Sequence, residues 1–295
     1  MEEILRIEQM LYGEESIIEI PSGVNIDYFV DEIVKLPKFR PFRLESVVDV
    51  CIQLCKEESL RNSIILKCTK TCPVIIYRMY LKNELTFEDI KVYTELKGNG
   101  LLICYFHENI PNFESIIKRK SMKEFRVLRK TRGFSDLIKL YGYDPLSIEY
   151  CLKYDDRDTL NDFLSIQTYD PLAQAYWSPF EWSNKPKSYD LLSFAGYFGA
   201  VNSFKLLLLN GFSVNAHVFN NIVCSGSLDL FHSCFQSQFL NYNLISIVSE
   251  FCHLSLLEYL FDHQIWINHR DVYVLFFYWN DSSSLCSAIW SSKYC

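Results

Sequence analysis

The chain has 295 residues, 49% of them hydrophobic, 16% aromatic and 22% charged, which excludes a disordered tail-like protein and supplies ample material for a core. Ten glycines and nine prolines are too few for a β-rich or linker-rich chain. The net charge of −7 disfavours nucleic-acid binding through the surface as a whole.

The N-terminus, MEEILRIEQML, is acidic and amphipathic and lacks the basic region of a secretory signal. The longest apolar runs, such as Val272–Trp279, fall far short of the roughly 18 residues that a membrane span needs. The eleven cysteines are therefore expected in a reducing compartment, cytoplasmic or nuclear. Most of them (Cys51, Cys55, Cys151, Cys224, Cys252) sit in apolar helical patterns, where a thiol acts as a small hydrophobe. Their odd number argues against a complete disulfide framework.

Residues 1–140 read as successive helices. Ile26, Phe29, Ile33 and Val34 share one helical face, as do Val47, Val48, Cys51 and Leu54. Pro21, Pro37, Pro41 and Pro73 mark helix boundaries, and Thr86 is placed to cap the helix of TFEDIKVYTEL. Cys51-x3-Cys55 with Cys68-x3-Cys72 offers four thiols for a tetrahedral zinc, but the same spacing describes core cysteines on helices, and it is not the common C-x2-C knuckle.

The segment KRKSMKEFRVLRKTR stands apart. It holds Lys118, Arg119, Lys120, Lys123, Arg126, Arg129, Lys130 and Arg132 against the single acid Glu124, so it carries +7 and leaves −14 for the rest of the chain. Such a patch suits an acidic partner, nuclear targeting or anionic lipid. It equally suits a solvated helix packed through Met122, Phe125 and Leu128.

From residue 141 to about 270 a helix–turn–helix plan recurs. Its turns fall at Asp155, Gly199, Gly226 and Cys252, spaced 44, 27 and 26 residues apart. Self-similarity of this size is the mark of a stacked helical solenoid. LLSFAGYFGAVNSFKLLLLNGFSVNA, Leu191–Ala216, resembles an ankyrin repeat: Ala195, Gly199, Leu207, Leu208, Gly211, Val214 and Asn215 fall on the matching positions. Phe251–Asp271 matches the second half of another, through Leu254, Leu257, Leu260, Ile267 and Asn268. The wider stretch resembles a family of divergent ankyrin-like proteins expanded in some parasitic protists, in which a helical N-terminal half leads into degenerate repeats. Asp190-Leu191-Leu192-Ser193 departs from the usual T-P-L-H, and the repeat at Gly226 is short.

That resemblance implies an all-α fold, a solenoid of degenerate ankyrin-like repeats preceded by a helical array. Its residues are scaffold. Ala195 lets two helices approach, Gly199 permits the turn, Gly211 ends a helix in the left-handed conformation, and Leu207 and Leu208 face the next repeat. The aromatic residues Tyr176, Trp177, Phe180 and Trp182, before Leu191, fit either a partner hot spot or rings that seal the stack.

The last segment, residues 271–295, breaks the pattern. A reading frame advanced by one base forces glycine at Trp279 and at Trp290, 11 positions apart, as in the first glycine and the turn glycine of an ankyrin repeat. The serine codons permit GMTPLHYALLYGHLSIV over the whole tail. A frame slip between about Asp271 and Trp279 is therefore expected, with residues 279–295 read out of frame.

No G-x-x-x-x-G-K-[ST], H-E-x-x-H or G-x-S-x-G motif occurs, and the six histidines are scattered. His217, His253 and His263 lie where a solvent-facing or capping role suffices. The expected function is non-enzymatic protein–protein interaction with an unidentified protein partner, through a groove formed by the first helices and the inter-repeat loops. No cofactor, catalytic residue, metal or small-molecule substrate is expected. The alternative is an adaptor that binds anionic lipid or nucleic acid through residues 118–132.

Overall fold

The computed structural model describes residues 26–39, 44–94, 100–111, 135–166, 174–178, 180, 188–235, 243–251 and 253–263. The chain divides into two compact units. The N-terminal unit is Glu14–Pro145 with Ser178–Lys185, and the C-terminal unit is Leu146–Trp177 and Pro186–Cys295 with Met1–Gly13. The described residues are mostly helical, in keeping with an all-α class.

The N-terminal unit contains α1 (Ile26–Ile33), α2 (Leu36–Phe39), α3 (Leu44–Cys55), α4 (Glu58–Thr71), α5 (Pro73–Leu81), α6 (Phe87–Thr94), α7 (Gly100–Tyr105), a 3-10 turn at His107–Asn109, and α8 (Asp136–Tyr141). The faces read from periodicity are the ones that pack. Phe29, Ile33, Val34, Val47, Val48, Cys51 and Leu54 are buried, and only Ile26 of that set is half-buried. Pro73 opens α5, where its missing N–H costs nothing. Thr86 starts α6 with a reciprocal cap: its Oγ1 accepts from Asp89 N at 3.4 Å, and Asp89 Oδ2 accepts from Thr86 N at 2.7 Å. α5 packs against α3, α4, α7 and α8 and forms the middle of the unit. Its Ile75, Ile76 and Met79 are fully enclosed, each contributing roughly 1.5–3 kcal/mol through burial.

The C-terminal unit is a series of helix pairs: α9 (Ile148–Tyr154) with α10 (Arg157–Ile166), α11 (Leu191–Phe198) with α12 (Val201–Leu209), α13 (Ala216–Ser225) with α14 (Leu228–Cys234), and α15 (Asn243–Glu250) with α16 (Leu254–Asp262). The first helices pack in series, α9 on α11, α11 on α13 and α13 on α15. Between the first two pairs β1 (Gln174–Tyr176) and β2 (Ser188–Asp190) form a short antiparallel ladder, with Ala175 opposite Tyr189. Strand signals are scarce in the sequence, and these three-residue strands are too short to leave one.

Local chemistry sets each pair. Ser147, Asp190, Asn215 and Ser227 are N-caps whose side chains accept backbone N–H groups of the first turn. Asp155, Gly199 and Gly226 end the first helices of three pairs in the left-handed region, at φ +56°, +67° and +71°. The carbonyl that closes the turn lies in the same register: Asp156 N donates to Cys151 O, Ala200 N to Ala195 O and His253 N to Val248 O, at 2.9, 3.0 and 3.0 Å. Cys151, Ala195 and Val248 are all fully buried.

Candidate functional site

The most developed constellation in the C-terminal unit joins one helix pair to the next. The N-cap of α12 is Ala200, whose side chain offers no acceptor. Asp155, in the turn of the preceding pair, supplies it. Asp155 Oδ1 accepts from Ser203 N at 2.7 Å, and Oδ2 accepts from Asn202 N at 3.1 Å and Asn202 Nδ2 at 2.9 Å. A carboxylate there meets orphan N–H groups and the positive end of the helix dipole. Those bonds offset the roughly 1–2 kcal/mol that a non-glycine residue spends in the left-handed region.

The last two pairs are joined by another device. His253 is buried, and its Nε2 lies 2.8 Å from Cys224 O, so this nitrogen carries the proton and donates. Its ring lies over Gly226. A Cβ on Gly226 would stand 2.2 Å from His253 Nδ1, so glycine is required both by φ and by the ring above it. Of the solvent-facing or capping role expected for His253, the solvent-facing one is excluded by this burial. His217 stacks on Tyr189 with centroids 5.4 Å apart, and His263 Nδ1 lies 2.9 Å from Tyr259 O.

The scaffold residues read from the sequence fall as follows. Ala195 and Leu207 are fully buried, while Leu208 is half-buried and Ser203, Phe204 and Leu206 hold the other enclosed places on α12. Gly211, at φ +89°, ends α12: Phe212 N donates to Leu207 O at 3.2 Å and Gly211 N to Leu208 O at 3.1 Å. Asn215 Oδ1 accepts from His217 N and Val218 N at 2.9 and 3.0 Å, which explains an asparagine at that place. Gly196, beside Ala195, marks a close approach of helices, for a Cβ on it would lie 3.1 Å from Ile222 Cγ1 of α13. Asp190 and Ser193, in place of T-P-L-H, make a cap of their own: Asp190 Oδ1 accepts from Ser193 N at 2.7 Å, and Ser193 Oγ donates to Asp190 Oδ2 at 2.6 Å.

The described members of the aromatic set are divided between the two units. Trp177 belongs to the C-terminal unit, where its ring meets Tyr189, Phe194, Tyr197 and Phe198 at centroid distances of 5.1–5.7 Å. Phe180 belongs to the N-terminal unit, is buried, and packs on Tyr105 at 5.0 Å. Trp177 is half-buried, whereas Tyr176 is 61% exposed. Trp182, Asn268, Cys252, the segment from Lys118 to Arg132, and residues 271–295 lie outside the described residues.

In the N-terminal unit, Tyr77 OH donates to Asp136 Oδ1 at 2.7 Å, and Lys139 Nζ stands 3.1 Å from the same oxygen. Lys139 is buried yet reaches Asp136 and Glu108, and its ammonium lies 5.5 Å from the centre of the Tyr77 ring. The Tyr77 hydroxyl and Lys139 hold the Asp136 carboxyl below its usual range, while burial and Asp136 push the Tyr77 phenol up. This cluster ties α8 to α5.

The thiols at Cys51, Cys55, Cys68 and Cys72 are all buried. Burial and the neighbouring Cys51 push Cys55 up to about 12, and burial raises Cys151 to about 11. Among the described residues no group of three or more histidine, cysteine or acidic side chains is placed to hold a metal ion, and no helix is long and apolar enough to cross a membrane. No family profile, no curated protein and no solved structure matches the chain.

Proposed function

We propose that the chain is a non-enzymatic protein–protein interaction scaffold whose C-terminal unit is a stack of degenerate ankyrin-like helix pairs. The observation that carries this reading is the recurrent turn, with Asp155, Gly199 and Gly226 left-handed at the end of the first helix of successive pairs, and first helices packed in series. The residues that match the repeat wording take packing, turning and capping roles. Such an array offers its partner a surface rather than a chemical centre. Tyr176, Ile166 and Leu209 are among the large exposed side chains of this unit that a protein partner would meet, at 61%, 81% and 81% exposure. A protein partner also suits a surface with net negative charge better than nucleic acid does.

The test is photo-crosslinking in the native cell, with a photoreactive residue placed in the full chain at Tyr176, Ile166 or Leu209. The expected result is a discrete protein adduct from at least one exposed site and none from the buried Leu207. Tyr176→Glu is expected to weaken the adduct formed at Ile166 or Leu209 without changing the far-ultraviolet spectrum. Absence of any adduct from all three sites, or a turnover activity intrinsic to the purified chain, would overturn the reading.

A further inference from the structure

Four cysteines of the N-terminal unit gather at one helix contact. Cys51 and Cys55 lie one turn apart on α3; Cys68 lies on α4, and Cys72 follows one turn later between α4 and α5. Cys51 Sγ stands 3.9 Å from Cys68 Sγ, 17 positions apart in the chain, and neither residue is exposed. We propose that Cys51 and Cys68 are a dithiol that closes to a disulfide under a hydroperoxide and so fastens α3 to α4.

The choice of pair follows from geometry. Residues four apart on a helix hold their Cβ atoms about 5–6 Å from each other. A disulfide needs about 3.5–4.5 Å, so Cys51–Cys55 is a poor pair without distortion of the helix. Cys51 and Cys68 sit on different helices that already touch, and their sulfurs are in van der Waals and S–H···S contact. Closing to a bond of about 2.0 Å asks for rotation of two short side chains rather than a new approach of helices.

The chemistry balances with one equivalent of hydroperoxide. Cys51 sulfur, as thiolate, attacks the peroxide oxygen, the O–O bond breaks, and a sulfenic acid forms with loss of water or alcohol. Cys68 sulfur then attacks that sulfenic sulfur, the S–O bond breaks, and water leaves with the thiol proton. Two thiols are oxidised by two electrons, and the peroxide is reduced by two. The hydrogen bond to Cys51 and burial raise the Cys68 thiol, and because either sulfur can donate in the contact the reverse order gives the same product. Because both sulfurs are enclosed, the reaction waits on local opening of the helix contact, which makes it slow and shields it from weak oxidants.

The test uses the reduced full-length protein, treated with hydrogen peroxide, denatured, alkylated and mapped by mass spectrometry without reduction. The expected result is a Cys51–Cys68 linked peptide as the principal product from this cluster. A rise in unfolding midpoint of about 5 °C, reversed by dithiothreitol, accompanies it. Cys68→Ala is expected to abolish both the link and the rise. Should that variant fold poorly, the peptide map of the unsubstituted protein decides alone. Recovery of Cys51 and Cys68 as alkylated thiols or sulfinic acids, linkage within Cys51–Cys55 or Cys68–Cys72, or stoichiometric zinc released by the oxidant would each overturn the proposal.

Discussion

The two units reach order by different means. In the C-terminal unit the chain repeats one local solution, a capped helix, a left-handed turn and a second helix, and adds a bond from each of two turns to a neighbouring pair. Among the described residues of the N-terminal unit no such sentence recurs. Its helices pack through their apolar faces and are joined by long-range ties of differing kind, such as Tyr77 to Asp136, 59 positions apart, and the ion pair of Arg78 with Glu45. Repeated local geometry tolerates a substitution wherever the backbone and the space above it allow one, whereas each long-range tie depends on its own set of partners.

The strongest way to press that contrast is at the turns. Gly226→Ala is expected to cost about 4 kcal/mol, because the methyl must displace the His253 ring, break its bond to Cys224 O and hold a left-handed backbone. Gly211→Ala, with the same handedness and nothing within 4 Å, is expected to cost only about 1 kcal/mol. Denaturant titration measures both; equal costs would mean that His253 is not a brace. Hydrogen exchange read by peptide is expected to place the loss from Gly226→Ala in α13–α16 and to leave α3–α5 protected.

A step smaller, Leu207→Ala is expected to cost about 3 kcal/mol, and Leu209→Ala within about 0.5 kcal/mol of nothing, two positions away on the same helix. Asp155→Ala comes next, at about 1–2 kcal/mol, since three hydrogen bonds at the start of α12 are lost while the turn keeps its strain. Asp155→Asn, which can still accept, is expected to recover part of it. In thermal melts the order Ala, Asn, wild type ranks the three.

The last comparison tests the other unit. Tyr77→Phe removes the hydroxyl that bonds Asp136 and is expected to cost about 1 kcal/mol at neutral pH. Asp136 has a depressed pKa, so its contribution is present above the unfolded value of about 3.9 and is lost as pH falls through the lower folded one. The difference between wild type and Tyr77→Phe is therefore expected to narrow below about pH 4. A gap that stays constant from pH 7 to pH 3 would show that the bond does not report on the carboxylate.

What a sequence reader finds here, and what escapes, divides along the same line. Helical faces such as Phe29–Ile33 and Val47–Cys51 follow from spacing, and the turns at Gly199 and Gly226 follow from glycine beside an apolar run. Thr86 shows itself because its partner Asp89 is three residues away. Asp155 is legible as a turn but not as a cap, because the helix it caps begins 46 positions later. Buried Lys139 and His253 look like ordinary surface residues until their partners are placed in space. Trp177 and Phe180 lie close together in the chain but belong to different units, since proximity in sequence does not decide which core a ring enters.

The Asp155 carboxylate also fixes the grammar of the array. Asp155 completes a helix that belongs to the following pair, and that helix has alanine where it would otherwise complete itself. The pairs are therefore not interchangeable tiles. Deleting the first pair leaves α12 with a frayed start, and copying the second pair in front of itself sets Gly199, with no carboxylate, where Asp155 belongs. A duplication in this stretch survives only together with a change at the junction, so such an array diverges by rewriting its joints rather than by counting its units.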